Sequence, residues 1–349
     1  MGVQRLLFKR SQIKMVSICN APFNNIYFTA GGTASPCWKL PGFSDNWSKD
    51  RSIMDIWTGE HFQRYRDALN SNVFLNRCQD CKKDIDNNVW PLAKAYEHFP
   101  VRKYPSVMEL ELSNQCNLEC TMCSGLLSSG IRKNRDKLPP LKQIYNDSFI
   151  EQLVEFVPHL VELRINGGEP FAQKIVLDVC NMVAEINPSL KVNIATNGTV
   201  YNKRVEHILA NNNIHLNISI DSLIPERYEA IRINGNFKQL MSNFKIFHQY
   251  CKSNNRELAV MFNPMRNNWE ECVEFARWTN SLNVNLWFNT IIYPKHLALW
   301  NLPSDELLTI IQSLESKLQH VPTNIANNKI VHHFVNNQLK TWLLDSYAR

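Results

Sequence analysis

Six short apolar runs punctuate the chain between residues 107 and 293, separated by stretches whose apolar positions recur at helical spacing. They are VMELELSN (107–114), LVELRING (160–167), KVNIATNG (191–198), IHLNISID (214–221), ELAVMFNP (257–264) and NLWFNTIIY (285–293). All are rich in Val, Ile, Leu or Phe, and most end in Asn, Asp, Gly or Pro, as buried parallel strands do. Between them Phe149, Leu153 and Phe156, and later Val273, Ala276 and Trp278, keep the spacing of a helix face. Six β/α units predict an α/β fold with a parallel sheet or partial (β/α)6 barrel, since a closed barrel of this kind needs eight. Folds of either type carry their chemistry at the carboxyl ends of the strands.

The first hundred residues follow another pattern. NNIYFTA, Gly31-Gly32 and TASPCWK read as a β-hairpin around a two-glycine turn. SIMDIWTGEHFQRYRDALN then has helical periodicity, and the segment closes with Cys78-Gln-Asp-Cys81. The expected organisation is a small α+β module over 1–100, the repeating unit over 101–300 and a helical C-terminal segment over 301–349, with apolar Leu307, Leu308, Ile311 and Leu314.

Composition narrows the function classes. With 349 residues, 44% hydrophobic and 20% charged, the chain is too apolar for disorder and long enough for a sizeable core. Its formal charge of +6 is spread along the chain, which suits an anionic small molecule or a peptide and does not point to nucleic acid. No run approaches the roughly 18 apolar residues of a membrane helix. The opening MGVQRLLFKRSQIKM reads neither as a secretory leader nor as a myristoylation signal, since position 6 is Leu. A cytoplasmic protein without membrane contact is expected, and there clustered cysteines more often bind metal or do chemistry than pair as disulfides.

The cysteines are clustered. Ser113-Asn-Gln-Cys116-Asn-Leu-Glu-Cys120-Thr-Met-Cys123 places three of them, spaced C-x3-C-x2-C, at the exit of the first run. A [4Fe–4S] cube normally takes four thiolates. Three within eight residues can hold three irons and leave the fourth open to a small molecule, as an open zinc site accepts substrate. Zinc itself fits less well, because no His or fourth Cys lies near to close a tetrahedron.

This motif resembles the signature of the radical S-adenosylmethionine (SAM) superfamily. The resemblance implies that Cys116, Cys120 and Cys123 hold a SAM-binding [4Fe–4S] cluster and that Met122, where the family often has an aromatic residue, touches adenine. Gly167-Gly168-Glu169-Pro170 ends the second run and matches the family's GGEP motif, which receives the amino group of SAM. Two glycines permit close backbone approach, and the Glu169 carboxylate would accept from an ammonium. Thr196-Asn197-Gly198 and Ser219-Ile-Asp221 resemble positions that bind the carboxylate and ribose of SAM; plain caps and turns explain them equally. Arg266 reads as a solvated loop charge with the SAM carboxylate as its other partner, and Tyr293 and His296 lie where the last run opens onto the barrel mouth.

Cys19, Cys37, Cys78 and Cys81 form a second set, enough to satisfy every iron of a cube or to hold zinc. With Cys19-Asn-Ala-Pro-Phe, the glycine hairpin, Cys37-Trp and Asp55-Ile-Trp57, they resemble the auxiliary-cluster twitch domain, the short relative of SPASM, here preceding the barrel rather than following it. Cys180, Cys251 and Cys272 read as small buried residues. The resemblance implies cleavage of SAM to a 5′-deoxyadenosyl radical, abstraction of a substrate hydrogen and an electron donor such as flavodoxin or ferredoxin. It puts oxidative modification of a peptide or protein first and dehydrogenation of a small alcohol or sugar-like metabolite second. A non-catalytic zinc- or iron–sulfur-binding protein is the rival of another class.

Overall fold

The computed structural model describes residues 19–40, 45–86 and 92–347; the opening MGVQRLLFKRSQIKM lies outside them. All six expected strands form. They are β4 (Val107–Glu111), β5 (Glu162–Asn166), β6 (Lys191–Thr196), β7 (Asn213–Ser219), β8 (Leu258–Phe262) and β9 (Asn285–Phe288), each preceded by β1 (Asn25–Phe28), β2 (Thr33–Ser35) and β3 (Asp45–Asn46) in the N-terminal module. The sheet runs β3-β2-β1-β4-β5-β6-β7-β8-β9 and is parallel from β1 onward. With helices between its strands, this is the expected α/β architecture of a partial barrel.

The glycine hairpin forms as well, with Tyr27 opposite Ser35 in an antiparallel pair and Gly32 at φ +86°. Its first strand does more than close the hairpin. β1 also pairs in parallel with β4, Tyr27 beside Glu109, so the N-terminal module is joined to the barrel sheet by backbone hydrogen bonds. The following helical stretch is split at Gly59 into Ile53–Thr58 and Glu60–Asn70. A Cβ at Gly59 would press on the Asp55 carbonyl at 2.6 Å. Ser52 and Asp55 close a capping box at the start of the first piece.

Strand alternation sorts the two faces. Met108, Leu110, Leu163, Ile165, Val192, Ile194, Leu216, Ile218, Val260 and Phe262 are buried in one continuous core with the helices. The alternate positions, Glu109, Glu162, Arg164 and Asn193, are polar and bonded to one another: Arg164 Nε donates to Glu162 (2.8 Å), Asn193 Nδ2 donates to the same carboxylate (3.0 Å), and Arg164 stands 3.6 Å from Glu109. A parallel strand buried in apolar surroundings on both sides would not carry these residues, so the inner face is a polar one.

The C-terminal helices cover the free edge of the sheet. Asn327, in the Ala326–His333 helix, accepts from the Leu286 N–H (3.0 Å) and donates to the Val284 carbonyl (2.8 Å), completing backbone groups that an edge strand leaves open. Arg266 pairs with Glu306 at 2.6 Å, tying the loop after β8 to the Ser304–Leu318 helix, while Tyr293 and His296 are exposed. Cys180, Cys251 and Cys272 are buried in helices, as expected. Among the described residues no helix is long and apolar enough to cross a membrane.

Candidate active site

The three-cysteine loop leaves β4 and is fixed on both sides of Cys120. The Glu119 N–H donates to the Ile233 carbonyl (3.0 Å) and the Thr121 N–H to the Ile231 carbonyl (2.9 Å). Ser128 Oγ donates to the Leu118 carbonyl (2.7 Å), and Asn114 Nδ2 to that of Gly125 (2.9 Å). Burial pushes the Cys116 thiol up to about 11 and the Cys120 thiol to about 12, and raises Cys123 too. Thiols raised in this way bind a metal only by giving up their protons. Arg135 donates to the Cys123 carbonyl from the exposed side.

Gly167 and Gly168 sit beside this loop at φ +81° and +53°, a region that L side chains rarely adopt. A Cβ at Gly167 would collide with the Glu111 side chain, and one at Gly168 with the Gln115 carbonyl of the cysteine loop. Both glycines are half-buried and their backbone lies against that loop. The Glu169 carboxylate is fully buried and accepts from Phe171 N–H (3.1 Å), Thr196 Oγ1 (2.7 Å) and Asn197 N–H (2.7 Å). These bonds tie the GGEP turn to the end of β6. Pro170 is buried at the start of the next turn.

Thr196 and Asn197 are buried in the same network. Asn197 Nδ2 donates to Asn117 (2.9 Å), and Asn117 Nδ2 donates to Thr199 (2.8 Å), which locks the cysteine loop to the end of β6. Ser219 is half-buried and its hydroxyl has no partner among the described residues. Asp221 is fully buried and bound within the chain: Arg232 Nη2 stands 2.7 Å from Oδ2, and Asn263 donates to Oδ1 through N–H (3.0 Å) and Nδ2 (2.7 Å). Met122 is half-buried against Ile231, Met265, Ile291 and Ala298, an apolar cluster apart from the main core. Sequence reasoning missed Asn117, Arg232 and Gln173. Gln173 Nε2 donates to the carbonyls of Ser113, Gln115 and Gly167 and so braces the loop against the glycine turn.

Cys19, Cys37, Cys78 and Cys81 line one pocket, walled by Leu40, Leu69, Phe74, Ile85, Ala93 and Tyr96 with Lys39 and Arg77 at its side. Cys78 and Cys81 open the Cys78–Asp86 helix, three residues apart and so on one face. Burial pushes the Cys19 thiol up to about 12 and Cys78 to about 11; Cys81 is raised less freely because Lys39 stands beside it. Cys37 is buried and Cys19, Cys78 and Cys81 are half-buried, a thiol set that suits an iron–sulfur cube. Among the described residues no three His, Cys, Asp or Glu side chains converge tightly enough to grip one ion. That holds for both cysteine sets, of which one lines a pocket and the other lies on a loop beside a glycine turn.

Residues 110–286 match the family model of the radical SAM superfamily, and residues 19–82 match that of an iron–sulfur cluster-binding domain, SPASM. Curated relatives include the GTP 3′,8-cyclase of Limosilactobacillus fermentum, 24% identical over 198 residues, 56% of this chain and 57% of the relative. The mitochondrial GTP 3′,8-cyclase of Arabidopsis thaliana is 24% identical over 239 residues, 63% of this chain and 56% of the relative. The chain thus spans little more than half the length of these relatives. Among solved structures, Streptococcus suis SuiB bound to precursor peptide SuiA has 14% identity and a TM-score of 0.46, covering 74% of this chain and 51% of SuiB. Native anSMEcpe with bound AdoMet has 16% identity and a TM-score of 0.46, covering 60% of each chain.

Proposed function

This chain belongs to the radical SAM superfamily, and from that premise we propose that it is an enzyme that reductively cleaves SAM and abstracts a hydrogen atom from a peptide or protein substrate. The observation that carries the reading is the Cys116–Cys123 loop, clamped on both sides of Cys120 and braced by Gln173 against the Gly167-Gly168 turn. Cys116, Cys120 and Cys123 would hold three irons of a [4Fe–4S] cluster. The fourth iron would take the amino and carboxylate groups of SAM, and the bound pair supplies the 5′-deoxyadenosyl radical.

The chain's own residues would do the rest. The backbone of Gly167 and Gly168 would receive the SAM ammonium, Ser219 would offer its free hydroxyl, and Met122 with its apolar neighbours would cover adenine and exclude water. Cys19, Cys37, Cys78 and Cys81 would hold an auxiliary cluster that accepts an electron from the substrate radical, making the outcome a two-electron oxidation. The division into an electron-storing module over about 1–100 and a SAM-cleaving core over about 101–300 is part of the proposal.

The charge of the inner face favours a peptide over a nucleoside triphosphate, although the relatives named above are GTP cyclases. Glu109 and Glu162 flank Arg164 there, Lys191 lies in register with Glu162 and pairs with Glu257, and Glu111 stands at the mouth beside Gly167. Carboxylates in excess of cations repel a polyphosphate and suit neutral or cationic side chains.

Anaerobic reconstitution followed by iron, sulfide and zinc analysis tests the reading, with dithionite and SAM then added. About eight irons per chain and release of 5′-deoxyadenosine are expected from the ligand counts. Zinc at both sets and no deoxyadenosine would overturn it.

A further inference from the structure

Arg232 closes the Pro225–Ile231 helix and is buried, although no sequence motif marks it. Its neighbours Ile231 and Ile233 accept the two backbone hydrogen bonds that flank Cys120, which sets the Arg232 side chain directly across from that cysteine. Nη1 lies 4.0 Å from Cys120 Sγ, while Nη2 is 2.7 Å from Asp221 Oδ2. Asp221 is itself immobilised by Asn263, and Asn268 Nδ2 donates to its carbonyl at 2.9 Å. A buried guanidinium is tolerated only when paired, and Asp221 provides that pairing at one end of the fork. The other end is left aimed at sulfur.

We propose that Arg232 is a positioning residue that holds a fixed positive charge against the Cys120 thiolate and thereby sets how readily the open cluster is reduced. The inference rests on the function proposed above. A cluster held by three thiolates gains one negative charge when it takes an electron from its reductant. A cation fixed beside one ligating sulfur stabilises that added charge, and Asp221, on the far side of the guanidinium, opposes it. Dry surroundings leave both effects poorly screened.

The test is a redox titration of the reconstituted full-length protein with dithionite and mediators, following the electron paramagnetic resonance (EPR) signal that SAM perturbs. Arg232→Gln should make the reduction equilibrium about tenfold less favourable, a midpoint about 59 mV more negative for one electron. Asp221→Asn, which leaves the guanidinium uncompensated, should move it in the opposite direction, and Arg232→Lys should stay within about threefold of the parent. A purely structural role would not reverse sign between the two partners. An unchanged midpoint in Arg232→Gln, or shifts of the same sign in Arg232→Gln and Asp221→Asn, would overturn the proposal. If Arg232→Gln fails to retain iron, Asp221→Asn decides alone: a midpoint that is unchanged or more negative overturns it. A parent protein with no signal responsive to SAM would instead overturn the proposed function itself.

Discussion

Tyr96 and Glu109 share a 2.5 Å hydrogen bond that joins the wall of the four-cysteine cavity to the polar inner face of the sheet. Burial raises the Tyr96 hydroxyl far above its ordinary range, so it stays protonated and donates. Glu109 is itself buried, with Arg164 3.6 Å away. Tyr96→Phe removes the donor and keeps the ring, leaving the buried carboxylate oxygen with the Arg164 charge but without its short hydrogen bond, at a cost of about 1–3 kcal/mol. Scanning calorimetry should show a lower thermal midpoint at unchanged iron content; an unchanged midpoint would show that the bond contributes nothing.

Glu162 gives a pH dependence. Burial pushes its carboxyl up, but the Arg164 charge and the hydrogen bonds from Arg164 and Asn193 outweigh that and hold it below its ordinary value. A depressed carboxyl contributes stability that is present above its unfolded pKa, near 4.3, and is lost as pH falls through the folded value. Glu162→Gln should therefore destabilise by roughly 1–3 kcal/mol at neutral pH. The gap to the parent should shrink as pH drops from about 5 to about 3, measured by urea unfolding. A gap that grew on acidification would reverse the sign of this argument.

Gly167→Ala should be disproportionately harmful for one methyl group. The residue sits at φ +81°, and the new Cβ would collide with Glu111. Backbone strain of this kind costs about 1–3 kcal/mol before the clash is counted. Because the same backbone faces the site proposed for SAM, equilibrium dialysis should show SAM affinity falling about tenfold or more, equivalent to 1.4 kcal/mol. Weakened stability with SAM binding intact would separate the turn from the cofactor site.

The two cysteine sets should fail differently. Cys120→Ala removes a ligand from the clamped loop and should abolish deoxyadenosine formation. Cys78→Ala removes a thiol from the four-cysteine pocket and should spare uncoupled SAM cleavage while losing oxidised product. Chromatographic quantification of deoxyadenosine separates the two, and identical behaviour of both variants would contradict the division of labour.

Strand positions were legible because each β-type run is locally apolar and ends in a turn residue. The parallel pairing of Asn25–Phe28 with Val107–Glu111 was not, since register between segments so far apart is set by the assembled sheet. The polar inner face was written in the alternation of Glu109 with Glu111, and in Arg164, Asn193 and Asn217, but runs read as buried on both sides conceal it. Motif spacing located the cysteine loop, the glycine turn and Asp221 without revealing which way side chains point. Glu169 and Asp221 turn inward to partners of this chain, and Arg232 reaches Cys120 only because folding brings together positions 112 residues apart.

The central claim is that three thiolates hold a cube with one iron open to SAM. EPR spectroscopy of the dithionite-reduced, anaerobically reconstituted protein, recorded with and without SAM, addresses it most directly. The account predicts that SAM changes the g-values or line shape of one cluster signal, and that Cys120→Ala lacks that response. A reduced spectrum identical in the presence and absence of saturating SAM would contradict it.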